Sequence, residues 1–174
     1  MRSHLPSAVL ASLAAVLFAA SLAMPAGAAP LGQPRGKPVL VVEGDIGVTN
    51  SSGKAVFDMA MLEALGTVSI TTRTPWYTDP VTFEGVPMAR LMAELGAAGS
   101  EVVAVALNDY TTEIPISDFA EYGAILALKR DGRYMPVRDK GPLFIVYPYD
   151  ARSELHSQKF YGRSVWQLAR LVVR

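Results

Sequence analysis

The chain is predicted to be a single α+β domain, a mixed sheet with few short helices. Three observations lead there. Short strand-like runs predominate, helical periodicity occurs in only a few brief stretches, and no steady β-α alternation or internal repeat appears.

The first 28 residues stand apart from that domain. A polar start with one fixed charge at Arg2 precedes an apolar run from Ala8 to Met24, and Pro25-Ala26-Gly27-Ala28 then offers an A-x-A cleavage site. That order is a secretory signal peptide, predicting a mature chain from Ala29, periplasmic or secreted, with no stable membrane insertion after cleavage. Residues 29–38 are expected to form a flexible lead-in, and residues 39–174 the domain.

Val39–Val42 is a strand ending at Glu43-Gly44-Asp45, and Asn50-Ser51-Ser52-Gly53 is a turn. Asp58 is placed to cap a helix whose Met61, Leu62 and Leu65 share one face and which Gly66 stops. Thr67–Thr72 reads as a strand, and Pro75 and Pro80 punctuate a loop holding Trp76, Tyr77 and Asp79. A second helix starts at Pro87, with Met88, Leu91, Met92 and Leu95 inward and Gly96 at its end. Glu101–Leu107 and Thr112–Ile116 are strands joined through Asn108-Asp109-Tyr110, and Ser117 caps a short helical turn to Tyr122. Ala124–Arg130 and Arg133–Val137 form a hairpin around Asp131-Gly132. Leu143–Tyr147 is a buried strand, Ala151–Phe160 a polar excursion, and Val165–Val173 a last strand.

Composition removes several classes of function. Without Arg2 the chain carries 15 basic and 16 acidic side chains, a formal charge of −1, so nothing in it favours nucleic acid. The basic residues around Lys129–Lys140 are diluted by Asp131 and Asp139 and read as a solvated hairpin. There is no cysteine, which excludes thiolate zinc sites, iron–sulfur ligation, covalent haem and a cysteine nucleophile. His4 leaves with the leader, so His156 alone cannot build a multi-histidine metal site.

Familiar catalytic motifs also fail. Gly47 to Gly53-Lys54 has its glycines one residue too far apart for a phosphate loop, and Ala55 stands where a Mg²⁺-binding hydroxyl is needed. No nucleophile elbow exists. Asp109, Glu113, Asp118 and Glu121 are close in sequence, but turn, strand and cap roles account for each.

What remains is a concentration of aromatic and polar residues in the connecting segments, where ligand sites are commonly placed. Six of them, Arg73, Thr74, Trp76, Asn108, Tyr110 and Arg163, are the candidate ligand-binding set. Arg73 and Arg163 are fixed cations suited to carboxylate or phosphate. For Trp76 and Trp166, core packing and ligand stacking both remain open.

From about Leu40 to Val173 the chain resembles the sulfite oxidase-type molybdopterin-binding domain. Phe83-Glu84-Gly85-Val86-Pro87 with Leu91 is similar to its F-x-G-V-P-L-x-x-L segment, and Asn108-Asp109-Tyr110 through Ile114-Pro115 to its D-G-Y-x-x-x-x-P. Ala127-Leu128 with Asp131-Gly132, then Gly141-Pro142-Leu143 and Tyr147-Pro148, resemble its hairpin and following strand. Gly162-Arg163-Ser164-Val165 with Leu168 resembles its closing G-x-K-S-V-K-W-L. The resemblance implies a mixed α+β domain with the pterin across strand ends and loops.

The departures fall on the implied cofactor site. Family enzymes hold molybdenum through a cysteine, and the corresponding place lies near Thr74, whose hydroxyl is a poor substitute for a thiolate. Phe144 takes the Arg position of G-P-L-R, and Trp166-Gln167 replace Lys-Trp. The expectation is therefore an exported domain on a degenerate scaffold, not catalytic and without a cofactor. It would bind a small anionic or organic ligand, or a periplasmic sensor or redox partner, with Trp76 and Trp166 filling vacated space. The alternative is a molybdopterin-dependent oxidoreductase that holds its cofactor without a cysteine.

Overall fold

The structure, a computed structural model, describes residues 31–174. The expected signal peptide and the first residues of the expected lead-in lie outside the described residues.

Among the described residues, ten strands form two five-stranded sheets. The first has the order β2-β1-β10-β5-β6 and uses β1 (Leu40–Gly44), β2 (Ala55–Phe57), β5 (Glu101–Ala106), β6 (Thr111–Pro115) and β10 (Leu168–Val173). It is mixed: β1 runs parallel to β10 with Val41 opposite Arg170, and its other pairings are antiparallel. The second sheet is antiparallel. It holds β3 (Val68–Thr74), β4 (Tyr77–Pro87), β7 (Ile125–Arg130) and β8 (Arg133–Tyr134) in that order, with β9 (Phe144–Val146) also paired to β7.

Four short helices complete the fold: α1 (Met59–Ala64), α2 (Met88–Glu94), α3 (Ile116–Tyr122) and α4 (Gln158–Arg163). The α+β class and the mixed sheet are as the sequence predicts. Asp58 caps α1 by accepting the Met61 N–H at 2.9 Å, and its second oxygen takes the N–H groups of Arg35 and Gly36 at 2.8 and 2.7 Å. Those backbone bonds, first that from Gly36, hold its pKa below the ordinary aspartate value. They also pin the lead-in to the domain.

Several boundaries differ from the sequence reading. Pro75 and Trp76 form a two-residue hairpin turn, with Thr74 paired to Tyr77, so the expected loop is the start of an eleven-residue strand. Pro80 is tolerated there because the β3–β4 ladder is irregular between Thr72 and Thr74, next to it. Pro87 and Pro115 occupy the N-cap positions of α2 and α3, and Ser117 lies inside α3. Ala151–Phe160 is largely helical: turns of 3₁₀ helix at Tyr149–Ala151 and Ser153–Leu155 lead into α4.

Two glycines are required by close backbone approach. At Gly44, with φ of +96°, a Cβ would lie 2.1 Å from the Val173 carbonyl oxygen, the contact that lets β1 and β10 run side by side. At Gly85 it would lie 2.1 Å from the Leu126 carbonyl oxygen, where the β4–β7 register shifts. Gly85→Ala is therefore expected to cost at least about 3 kcal/mol, the upper end for overpacking. The urea midpoint of the variant against the parent chain measures it.

Candidate functional site

Three connections meet where the two sheets join. The Pro75–Trp76 turn projects from β3 and β4, Leu107–Tyr110 joins β5 to β6, and Ser164–Gln167 leads from α4 into β10. A bridge between Phe144 and Trp166 ties β9 of the second sheet to the approach of β10 in the first. Gln167 locks the junction: its N–H donates to the Lys140 carbonyl at 2.9 Å, its carbonyl accepts from Leu107 N–H at 2.9 Å, and its side-chain amide donates to the Val137 carbonyl at 2.7 Å. These bonds hold it at φ +52°, an uncommon conformation for a non-glycine residue.

The junction encloses a cleft of about 280 Å³ lined by Trp76, Asn108, Tyr110, Gln158, Tyr161, Gly162, Ser164, Val165 and Trp166. Its aromatic wall is continuous. Trp76 meets Trp166 edge-on at 5.4 Å between ring centroids and 89°, and also contacts Phe144 at 5.3 Å, Tyr161 at 6.0 Å and Tyr149 at 6.2 Å. Edge-to-face contacts at these distances are favourable because ring edges are positive and faces negative.

Hydrogen bonds fix the surrounding polar groups. The Tyr110 hydroxyl donates to the Gly162 carbonyl at 2.9 Å, closing the β5–β6 hairpin onto α4. Buried Ser164 donates to the Phe160 carbonyl at 2.7 Å and is hydrogen-bonded to the Tyr149 hydroxyl. Burial raises the Tyr149 phenol far above its ordinary pKa, so it remains a neutral donor. His156 joins the edge of the site, Nδ1 lying 3.3 Å from the Tyr161 hydroxyl and Nε2 3.5 Å from Asp150.

Of the six residues expected from sequence, Trp76, Asn108 and Tyr110 line the cleft. Thr74 lies just behind, its hydroxyl accepting the Trp76 N–H at 3.3 Å. Arg73 points along the surface: its side chain is 71% exposed and lies 3.8 Å from Asp150, while its backbone N–H donates to Asp150 at 2.8 Å. Arg163 sits next to two lining residues, but its guanidinium is 2.5 Å from Asp118 in a pair with side chains 17% and 7% exposed. The Tyr147 hydroxyl donates to the same carboxylate at 3.4 Å, and burial, then the Asp118 charge, raises its pKa strongly.

Gln158 and Tyr161 reach the cleft from α4, a helix of six residues that begins inside the segment read as a polar excursion, Ala151–Phe160. Tyr161 belongs with Arg163 and Trp166 to the aromatic and polar residues concentrated in the connecting segments, whereas nothing in the sequence singles out Gln158.

The family model for the oxidoreductase molybdopterin binding domain matches residues 58–151. The chain belongs to that family. Among solved structures, the sulfane dehydrogenase SoxCD from Paracoccus pantotrophus is similar in fold, with a TM-score of 0.54 at 17% identity. The alignment covers 77% of this chain and 37% of that one, so the present chain spans well under half of that enzyme. No curated protein matches the sequence.

Molybdopterin-binding domains of this type imply a cofactor, and the donor set here does not fit a molybdenum held by a protein ligand. The chain has no cysteine, and the described residues contain no cluster of three or more histidine, aspartate or glutamate side chains. Around Thr74, the place the resemblance assigns to the cysteine, the Trp76 indole packs on Phe144 and Trp166. Phe144 is fully buried, Arg163 is engaged by Asp118, and Arg73 lies on the surface.

Proposed function

We propose that this protein is an exported small-ligand or partner-binding domain, built on the molybdopterin-oxidoreductase scaffold and working without molybdenum–thiolate chemistry. The observation that carries the reading is the cleft itself. Where the family resemblance places a metal ligand, this chain presents a packed aromatic wall and hydrogen-bonding amides. Such a surface binds by stacking and burial.

The apolar leader supports a periplasmic or secreted location, and among the described residues no helix is long and apolar enough to cross a membrane. A periplasmic sensor or redox protein is the proposed macromolecular partner.

Family membership favours one second reading, a molybdopterin-dependent oxidoreductase without a cysteine ligand. The test is expression in a host that makes the cofactor, with recovery from the periplasm and elemental analysis. Molybdenum is expected well below one atom per chain, in a product that begins at Ala29. One molybdenum per chain, together with activity toward an electron acceptor, would establish the second reading instead.

A further inference from the structure

We infer that the cleft selects a flat, uncharged ring compound with a hydrogen-bonding edge, and discriminates against carboxylates, phosphates and ammonium ions. The inference rests on the proposed reading of the cleft as a ligand site and adds its chemistry.

The first support is charge. None of the nine lining residues is an aspartate, glutamate, lysine, arginine or histidine. A charged ligand entering there would lose water without meeting a counter-ion among the lining residues, which is unfavourable. Of the arginines that could have neutralised an anion, Arg163 is engaged by Asp118 at 2.5 Å, and Arg73 lies outside the lining with its side chain 71% exposed. Cations are opposed for a different reason. An aromatic wall attracts them, but the Lys140 ammonium already lies 5.5 Å from the Trp166 ring centroid and 4.7 Å from that of Tyr77.

The second support is shape. Trp76 and Trp166 stand at 89° to one another, so a ring lying on the face of one meets the edge of the other. A volume of about 280 Å³ is at the small end of the roughly 300–1,000 Å³ usual for ligand pockets, which suits one or two fused rings. Asn108 and Gln158 supply carboxamides at the lining. The Asn108 carbonyl oxygen is engaged by the Tyr110 N–H at 3.2 Å, which leaves its amide nitrogen as the donor. A ring carbonyl or ring nitrogen is the matching acceptor.

The test uses matched probes on the full mature chain: the neutral amide, the carboxylate and the amine of indole, naphthalene and quinoline, followed by calorimetry and ligand-observed NMR at pH 7. At least one neutral amide is expected to bind tenfold or more tighter than its two charged counterparts. Trp166→Ala and Asn108→Ala should each weaken it severalfold or more, while Arg73→Ala leaves it unchanged. Asn108 is exposed on a hairpin, so its variant reports on binding even if Trp166→Ala unfolds. A carboxylate or amine that binds as tightly, and loses affinity in the Asn108 variant, would overturn the charge selection while leaving the cleft as the site. No saturable binding by any probe, or binding indifferent to both cleft variants, would overturn the inference and the cleft reading together.

Discussion

Arg163→Ala is expected to destabilise the domain by about 3–5 kcal/mol, the range for removing one partner of a buried ion pair. The pair joins α3 to the end of α4: the guanidinium is 2.5 Å from Asp118, and the two side chains are 17% and 7% exposed. Removing Arg163 leaves the Asp118 charge facing only the Tyr147 hydroxyl at 3.4 Å. It also removes a cation lying 5.8 Å from the Phe160 ring centroid. From sequence, Arg163 reads as a loop cation whose loss weakens anion binding and barely affects folding. The burial of its partner reverses that expectation. For a domain of this size the cost corresponds to a fall in melting temperature of roughly 10–17 °C. Replacing both partners with apolar residues of similar volume should recover much of the loss, because no orphaned charge is then buried. Thermal melts of the single and double variants measure both effects. An Arg163→Ala melt within a degree or two of the parent chain would show that the pair is not supporting the fold.

That reversal shows which part of the structure is legible in the sequence. Local chemistry is readable. Asp131-Gly132 takes φ of +48° and +77° and turns β7 into β8, Asp58 caps α1, and Gly66 with φ of +88° follows its end. Each of these residues acts within a few positions of itself. The family motifs are readable as sequence even where their cause is not local: Pro87 caps the helix that follows it, while Gly85 answers to the Leu126 carbonyl of β7. Partnerships across the chain are not. Nothing near Arg163 in sequence announces Asp118, 45 residues earlier, or identifies Asp150 as the group that Arg73 meets. The short elements were hidden too. β2 has three residues and α4 six, too few for either periodicity to rise above its neighbours. Proline misled in one place: Pro75 and Pro80 read as a loop, yet one forms a tight turn and the other stands beside a ladder irregularity.

The cleft was partly legible for a related reason. Asn108 and Tyr110 lie on a turn between two strands that the apolar runs already revealed, whereas Trp76 precedes β4, a strand whose start reads as a loop in the sequence. Gln158 depends on a helix that was not foreseen. The question left open for the two tryptophans is resolved by packing: both are half-buried, touching the core on one side and lining the cleft on the other.

Phe144→Arg, which restores the arginine of the family's G-P-L-R motif, is expected to abolish folding. Phe144 is fully buried in β9, paired with Ala127 of β7. Its ring packs on Trp76 at 5.3 Å, Phe83 at 5.8 Å and Trp166 at 6.3 Å, with no carboxylate among these contacts. An unpaired buried ion costs several kcal/mol even after relaxation. The lost ring contacts and overpacking add to that, and the total approaches the roughly 5–15 kcal/mol that holds an ordinary domain together. A guanidinium at this position could reach water only by displacing Trp76 or Trp166. Phe144→Arg combined with Trp76→Ala is therefore expected to be less damaged than the two single effects summed, since the truncated indole opens a path to the cleft. Phe144→Leu is the control. It keeps the site apolar, leaves a modest cavity, and should cost about 1–3 kcal/mol with the fold intact. Circular dichroism and urea titration of the four chains decide the matter. A Phe144→Arg chain that folds as stably as the parent would show that the position still accommodates the family's cation, and acquisition of molybdopterin by that chain would show that the site had been altered by little more than this residue.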